Sequence, residues 1–282
     1  MVLDRDTRKD IREFIKQKPR TVQEVAQKVS RSWRTADRYL EKMENEEGYI
    51  SRRTFRKGTR GALKIAYWNN IHSFSTSKVQ EQLLRKIETG RKKEDFSPFD
   101  IYQSADENKR KAFMEKQTRD HVEAKHDIFT LLRQAQERIM FFSGDLSWVN
   151  LTYKGEKCLK VFRELSNDGI NLFFIGRVDT GSMKNAEKFF DFKKSLKNDN
   201  IKIRHNEHPL RAFIVDDKFV QLKEMRKTDG KSMEENKYLF YEIKDDKWVE
   251  WLIKVFWKLY RGSIPGEKRI KDLRTIKNLE RV

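Results

Sequence analysis

His208-Pro209-Leu210-Arg211-Ala212-Phe213-Ile214-Val215-Asp216-Asp217 encloses a short apolar run between a proline-containing approach and a pair of aspartates. Such a run, with aromatic and β-branched residues, reads as a strand over 210–215. The Asp216-Asp217-Lys218 turn then leads into a second strand over 219–222. Toward the C-terminus, residues 238–243 form another strand. Residues 247–260 carry Trp248, Trp251, Leu252 and Val255 at helical spacing. Toward the N-terminus come a strand at 201–204, a helix at 186–196, a strand at 170–175, a helix at 155–166 and a strand at 139–143. Asp168-Gly169 breaks the chain between helix and strand. This β-α-β-α-β succession predicts a mixed sheet covered on both faces by helices.

Upstream of this α/β segment, Val122, Ile128, Phe129 and Leu132 fit a long helix, expected to begin near Ala105 and to run to Arg138. Residues 72–116 read as a helical linker. Their helix at 78–88 places Val79, Leu83, Leu84 and Ile87 inward and offers a candidate dimerisation surface. The loop at 90–104 holds Pro98 and the aromatics Phe96, Phe99 and Tyr102, which suits a segment docked on the domain.

Residues 1–71 have a different logic. Ile11, Phe14 and Ile15 form one helical stripe, and Pro19 ends it. Thr21 with Glu24 makes a capping box for a second helix buried through Val22, Val25, Ala26 and Val29. A third helix follows Ser32, with Trp33, Ala36, Leu40 and Met43 expected inward, and stops near Gly48. Residues 49–56 and 62–68 flank Lys57-Gly58-Thr59-Arg60-Gly61, which predicts a β-hairpin with a basic tip. Three short helices followed by a basic hairpin is the layout of a winged helix-turn-helix.

The charge agrees with that layout. The 282-residue chain has a formal net charge of +18, and residues 1–71 contribute 18 Lys/Arg against 10 Asp/Glu. An excess of this size favours a polyanion, because each neutralised phosphate releases condensed counterions. Arg31, Ser32, Arg34, Thr35 and Arg38 occupy the N-terminal part of the third helix, the portion of a recognition helix that meets base edges in the major groove. Arg56, Lys57 and Arg60 lie at the hairpin, placed to grip a neighbouring backbone. Double-stranded DNA is the expected partner, with RNA as the rival polyanion. A two-fold homodimer would double the contact and impose a palindromic site.

Several chemistries are disfavoured. One cysteine, Cys158, permits neither an internal disulfide nor a Cys-based zinc site, and its apolar setting suits a buried thiol. His205 and His208 lack a third ligand, so neither a metal nor any cofactor is expected. The most apolar region, 248–260, is interrupted by Glu250, Lys254 and Lys258. A membrane partner is therefore not expected, and a cytoplasmic location is.

With the winged helix in front of it, the 208–217 stretch resembles the phospholipase D-like domain of archaeal regulators of the TrmB type, and residues 117–282 are similar to one half of a phospholipase D fold. Active members of that superfamily carry HxKxxxxD, whose His attacks phosphorus while the Lys binds the phosphoryl oxygens. Setting the acid at Asp216 puts Pro209 at the nucleophile and Arg211 at the lysine, with His208 one residue out of register. On an extended strand that shift turns His208 away from Arg211. The resemblance therefore implies a catalytically silent domain used for pairing or sensing, with no catalytic residue. A phosphodiesterase or nuclease guided by the winged helix is the alternative. Ser143, Asp145, Arg177, Asp179, His208, Arg211 and Asp216 sit at expected strand ends, where open α/β sheets bind ligands. An Arg177/Arg211 pair there suits a small anionic or hydroxylated effector, while Arg211–Asp216 or Arg177–Asp179 ion pairs are the purely structural alternatives.

Overall fold

The computed structural model describes residues 3–17, 20–56, 62–68, 78–117, 127–227 and 236–279. The chain divides into two compact units, Met1–Phe74 and Ser75–Val282.

In the first unit, α1 (Arg5–Gln17) buries Ile11 and Ile15. A two-residue strand β1 (Arg20–Thr21) leads into α2 (Val22–Lys28). The capping box forms as expected: the Thr21 hydroxyl accepts from Glu24 N at 3.1 Å, and the Glu24 carboxylate accepts from Thr21 N at 2.7 Å. Helix α3 (Trp33–Glu47) starts on Ser32 and ends at Gly48, whose φ of 68° needs the left-handed freedom of glycine. Strands β2 (Ile50–Arg56) and β3 (Ala62–Trp68) pair antiparallel, and β1 joins the far edge of β3 to give the order β1-β3-β2. The shared core includes Ile11, Val25, Ala36, Leu40, Met43, Ile50 and Ala66. Trp33, expected inward, instead lies outside this core on the first turn of α3.

The second unit opens with α4 (Lys78–Thr89), the single turn α5 (Phe99–Tyr102) and strand β4 (Arg110–Gln117). After α6 (Ile128–Leu132) come β5 (Arg138–Phe142), a small hairpin of β6 (Thr152–Tyr153) and β7 (Glu156–Lys157), and α7 (Cys158–Asn167). Then β8 (Asn171–Gly176), α8 (Met183–Lys194) and β9 (Ile201–His205) alternate. Strands β10 (Ala212–Val215), β11 (Phe219–Lys227) and β12 (Asn236–Ile243) precede α9 (Asp246–Arg261), β13 (Ile264–Pro265) and α10 (Gly266–Leu279). Among the described residues the main sheet has eight strands, ordered β13-β9-β8-β5-β10-β11-β12-β4. Strands β5, β8 and β9 are parallel, and every other pairing in the sheet is antiparallel.

Aromatic rings fill both faces. On one, Phe141 stacks on Phe174 with centroids 4.3 Å apart, under Phe162 of α7 and Phe189 of α8. On the other, Phe142 meets Phe256 and Phe173 meets Trp257, so α9 is buried against its own sheet. Cys158 is fully buried, and burial pushes its thiol up.

Two expectations for 72–138 fail. No helix runs from Ala105 to Arg138: β4 pairs residue by residue with β12, from Asn236↔Gln117 to Ile243↔Arg110. The Ala, Met, Glu, Lys and Gln of this segment favour helix, but a waiting sheet edge and the Phe113–Phe240 stack at 5.2 Å override propensity. Nor is 72–116 a linker, because α4, α5 and β4 all belong to the second unit. Leu83, Leu84 and Ile87 of α4 are buried, while Val79 is exposed. The 90–104 loop does dock, with Phe96 buried and Tyr102 5.0 Å from Tyr241.

Asp216 closes the β10–β11 turn with φ 48°. Its carboxylate accepts the backbone N–H groups of Gln136, Glu137 and Arg138, each at 3.0 Å, fastening the start of β5. Burial opposes its ionisation, but these donors outweigh it and hold the pKa below the usual value. Asp216→Ala removes three hydrogen bonds to a charged carboxylate and is expected to destabilise the second unit by about 1–3 kcal/mol. Because the folded-state pKa is depressed, the stability that Asp216 supplies is present above the ordinary carboxylate pKa and is lost as pH falls below it. Chemical denaturation of wild type and variant, converging in acid, checks both points.

Candidate nucleic-acid interface and a cationic site

In the first unit most basic side chains around α3 are neutralised. Arg8 pairs with Glu46 and Glu47, Arg52 spans Asp37, Glu41 and Glu44, and Lys64 holds Asp37. Arg31, Arg34 and Arg38 are different. All three are exposed, and among the described residues none forms an ion pair; Arg31 only donates to the Ser30 carbonyl at 3.2 Å. A helix rise places Arg34 and Arg38 one turn apart on the outward face, the i,i+4 relation. Ser32 and Thr35 are the local scaffold: Thr35 N donates to Ser32 Oγ at 3.2 Å, and the two hydroxyls lie 2.9 Å apart. Their hydroxyls are thus engaged in capping the helix. Lys57 and Arg60 of the hairpin tip lie outside the described residues, as does the side chain of Arg56.

In the second unit, β5 changes the sheet from parallel to antiparallel. Because Ala212 faces Phe142 across the ladder, the end of β5 and the approach to β10 meet at one edge. Ser143, Asp145, Arg177, Asp179, His208 and Arg211 all gather there. Asp216 does not: it faces the beginning of β5 at the opposite end, so it leaves the candidate site, and the Arg211–Asp216 pair does not form.

Several of the gathered groups are already occupied. Asp179 accepts from Ser182 N at 2.8 Å at the start of α8, and its other oxygen lies 2.9 Å from Arg177 Nε, an ion pair without hydrogen-bond alignment. Asp145 accepts from Ser147 N at 3.2 Å. His205 Nδ1 accepts from Val178 N at 3.0 Å, which leaves its proton on Nε2. His208 is only 3% exposed, and its Nε2 lies 3.2 Å from the Ile175 carbonyl oxygen. Burial, reinforced by Arg211, pushes His208 down to about 3, so the ring is neutral. The face-alternation expected for His208 and Arg211 does not apply, because residues 206–211 are irregular and β10 starts only at Ala212. Arg211 folds back instead, donating to the carbonyls of Leu210 at 2.7 Å and His208 at 3.2 Å.

The structure adds two residues that the sequence pattern did not single out. A Cβ on Gly144 would stand 2.5 Å from Arg211 Nε, so glycine lets the guanidinium lie against the backbone here and a larger residue would displace it. The β10–β11 register, with Ala212↔Leu222, sets Lys223 opposite Arg211, where Lys223 N donates to the Arg211 carbonyl at 2.7 Å. Counting outward from the Asp216-Asp217-Lys218 turn would have found it. Directly opposed residues share a face, and like charges in that position repel. More than a third of Lys223 remains in solvent, yet its ammonium rests 4.0 Å from the Tyr238 ring centroid with protein crowding around it. That crowding, with Lys93 and Arg211 adding to it, pushes Lys223 down to about 8. Burial, with Arg177 adding to it, lowers Arg211 to about 10, and both remain largely charged at neutral pH. Neither Arg211 nor Lys223 has an ion-pair partner among the described residues. Leu146, two residues after Gly144, is fully buried in the core at φ 59°, a left-handed conformation that costs a bulky residue about 1–2 kcal/mol.

No family model matches the sequence, and no curated protein does. Among solved structures, the chain is similar to Nuc, a phospholipase D family member from Salmonella typhimurium, at 10% identity and TM-score 0.38, covering 55% of this chain and 97% of that one. NucT from Helicobacter pylori gives 14% identity and TM-score 0.38, covering 55% and 99%. TrmBL2, described as an archaeal chromatin protein with a novel mode of DNA binding, gives 14% identity and TM-score 0.38, covering 93% and 94%. These are distant likenesses, and what this chain binds has to be read from its own residues. Among the described residues, no helix is long and apolar enough to cross a membrane.

A folded-state Lys223 pKa below its unfolded value means that the penalty of the charged ammonium is present below about pH 8 and is relieved as pH rises toward the unfolded value. The stability of wild type relative to Lys223→Met is therefore expected to improve across that interval in denaturation series. Saturating sulfate should raise the Lys223 pKa in NMR titration, because a bound anion favours the ammonium.

Proposed function

We propose that this chain is a sequence-specific double-stranded-DNA-binding transcriptional regulator whose first unit is a winged helix-turn-helix. The observation that carries this function is the trio of unpaired, exposed guanidiniums, Arg31 just before α3 and Arg34 and Arg38 on its N-terminal half. The carboxylates of α3 itself, Asp37, Glu41, Glu44, Glu46 and Glu47, are engaged by Arg8, Arg52 and Lys64, so Arg31, Arg34 and Arg38 keep their charge for an external partner. Arginine is suited to bidentate contact with guanine or phosphate. Duplex RNA fits less well, because its major groove is too deep and narrow for side chains to read.

The second unit, on this proposal, is a phospholipase D-like pairing or sensing domain without turnover. Arg211 and Lys223 supply charge for a small anionic effector at the end of β5, with Arg177 beside them. Burial of His208 against the Ile175 carbonyl argues against a nucleophilic role, so bis-p-nitrophenyl phosphate should not be hydrolysed. A homodimer on a palindromic site follows from the short reach of one recognition helix.

Arg34→Ala and Arg38→Ala are each expected to weaken binding to a selected duplex by about 1–3 kcal/mol, and more than they weaken binding to mixed-sequence duplex. Mobility shifts on fragments recovered by selection check this. Unchanged affinity in both variants would mean that α3 is not the DNA-reading helix.

A further inference from the structure

Trp33 begins α3 with a ring that the core of the first unit does not take up. It is 42% exposed, whereas Ala36, Leu40 and Met43 on the same helix are fully buried. Its position is fixed by its neighbours. Ser32 caps the helix immediately before it. Lys64 Nζ lies 5.3 Å from the indole centroid, and Asp37 holds that ammonium at 2.5 Å. Arg52 in turn donates to Asp37 and Glu44, so the sheet-facing flank of α3 is electrically closed. Arg34 and Arg38 stand farther round the helix, beyond Asp37 and Glu41, and Arg31 precedes the cap. A rigid apolar surface thus stands on the first turn, one residue before the exposed Arg34.

We infer that Trp33 is a specificity-determining residue that makes apolar contact with base edges in the major groove, reading the methyl group of thymine. This deepens the DNA-binding function proposed above and rests on it. The first turn of a recognition helix is the part that reaches the bases. Arginines there grip phosphate or guanine, which display acceptors; thymine alone among the four bases presents a methyl group in that groove, and an apolar side chain is its complement. The exposed, unpaired guanidiniums of Arg31 and Arg34, two residues before Trp33 and one after it, suit a polyanion and disfavour a purely apolar protein partner. The sequence pattern concealed this role, because Trp33 is in helical phase with Ala36 and Leu40 and so reads as core.

The test uses the full chain and a duplex obtained by selection. Trp33→Ala is expected to lose roughly tenfold or more in affinity for that duplex while keeping its affinity for mixed-sequence duplex and its salt dependence, since no charge is removed. Trp33→Phe should restore part of the loss. Replacing individual thymines by deoxyuridine deletes only the methyl group. At one position or more it should weaken wild type several-fold and leave Trp33→Ala unaffected, the non-additivity expected of a direct contact. If every such replacement costs wild type and Trp33→Ala the same, Trp33 reads no methyl group. If Trp33→Ala loses affinity for all duplexes equally, with a lowered melting temperature, the indole is only a prop for Lys64 and the inference fails. A wild-type protein without affinity for any duplex would instead remove the DNA-binding function beneath it.

Discussion

Strand β5 hydrogen-bonds to a parallel neighbour on one side and an antiparallel neighbour on the other, and the second unit is organised by that reversal. On the β8 side the chain must cross over through α7 and α8 to return in the same direction, which supplies the helical cover of one face. On the β10 side it arrives from the opposite end, carrying Arg211 to the point where β5 stops. Gly144 is the steric condition for that meeting, and Asp216 secures the other end of the same pair of strands. A ligand crevice at a strand-order reversal is the general expectation for open α/β sheets. Here the reversal brings Arg211 and Arg177 to one end of the sheet.

The alternating part of the fold was legible because its strands are short apolar runs with clear punctuation: Asp168-Gly169 and Asp216-Asp217-Lys218 both mark true breaks. The capping box of Thr21 and Glu24 was equally plain, since it is a local interaction between residues three apart. What escaped the sequence was non-local. β4 is composed of good helix formers and becomes a strand only because β12, more than a hundred residues away, offers an edge. Trp33 shared its phase with core residues, but the core had filled with smaller side chains. Asp216 was placed among ligand-binding candidates by its position in a motif, although pairing with β5 carries it to the wrong end. Lys223 was overlooked for the opposite reason, because it belongs to no motif and gains its meaning from register with Arg211.

The two candidate sites share an electrostatic design in different settings. On α3 the surrounding cations are matched to carboxylates and three arginines are left in water, where keeping them charged is inexpensive. At the end of β5 Arg211 and Lys223 are crowded by protein, so their charge is held at a cost to the fold. Burial is the larger part of that cost, and nearby carboxylates, Asp145 for Arg211 and Glu115 for Lys223, offset some of it. A ligand that binds only the native state stabilises it by an amount that rises with the logarithm of its concentration above Kd, so an anion held by Arg211 and Lys223 would tie their charge to the persistence of the whole unit.

β4 also fixes an order of events during synthesis. It is the first strand of the main sheet to leave the ribosome, yet its partner among the described residues, β12, is made more than a hundred residues later. At about 5–20 residues per second, that interval lasts several seconds or longer. Throughout it, a segment destined to be an outer strand has no edge to join and retains its own preference for helix. The outer edge of the sheet is therefore completed late, because β4 can take its place only once β12 exists.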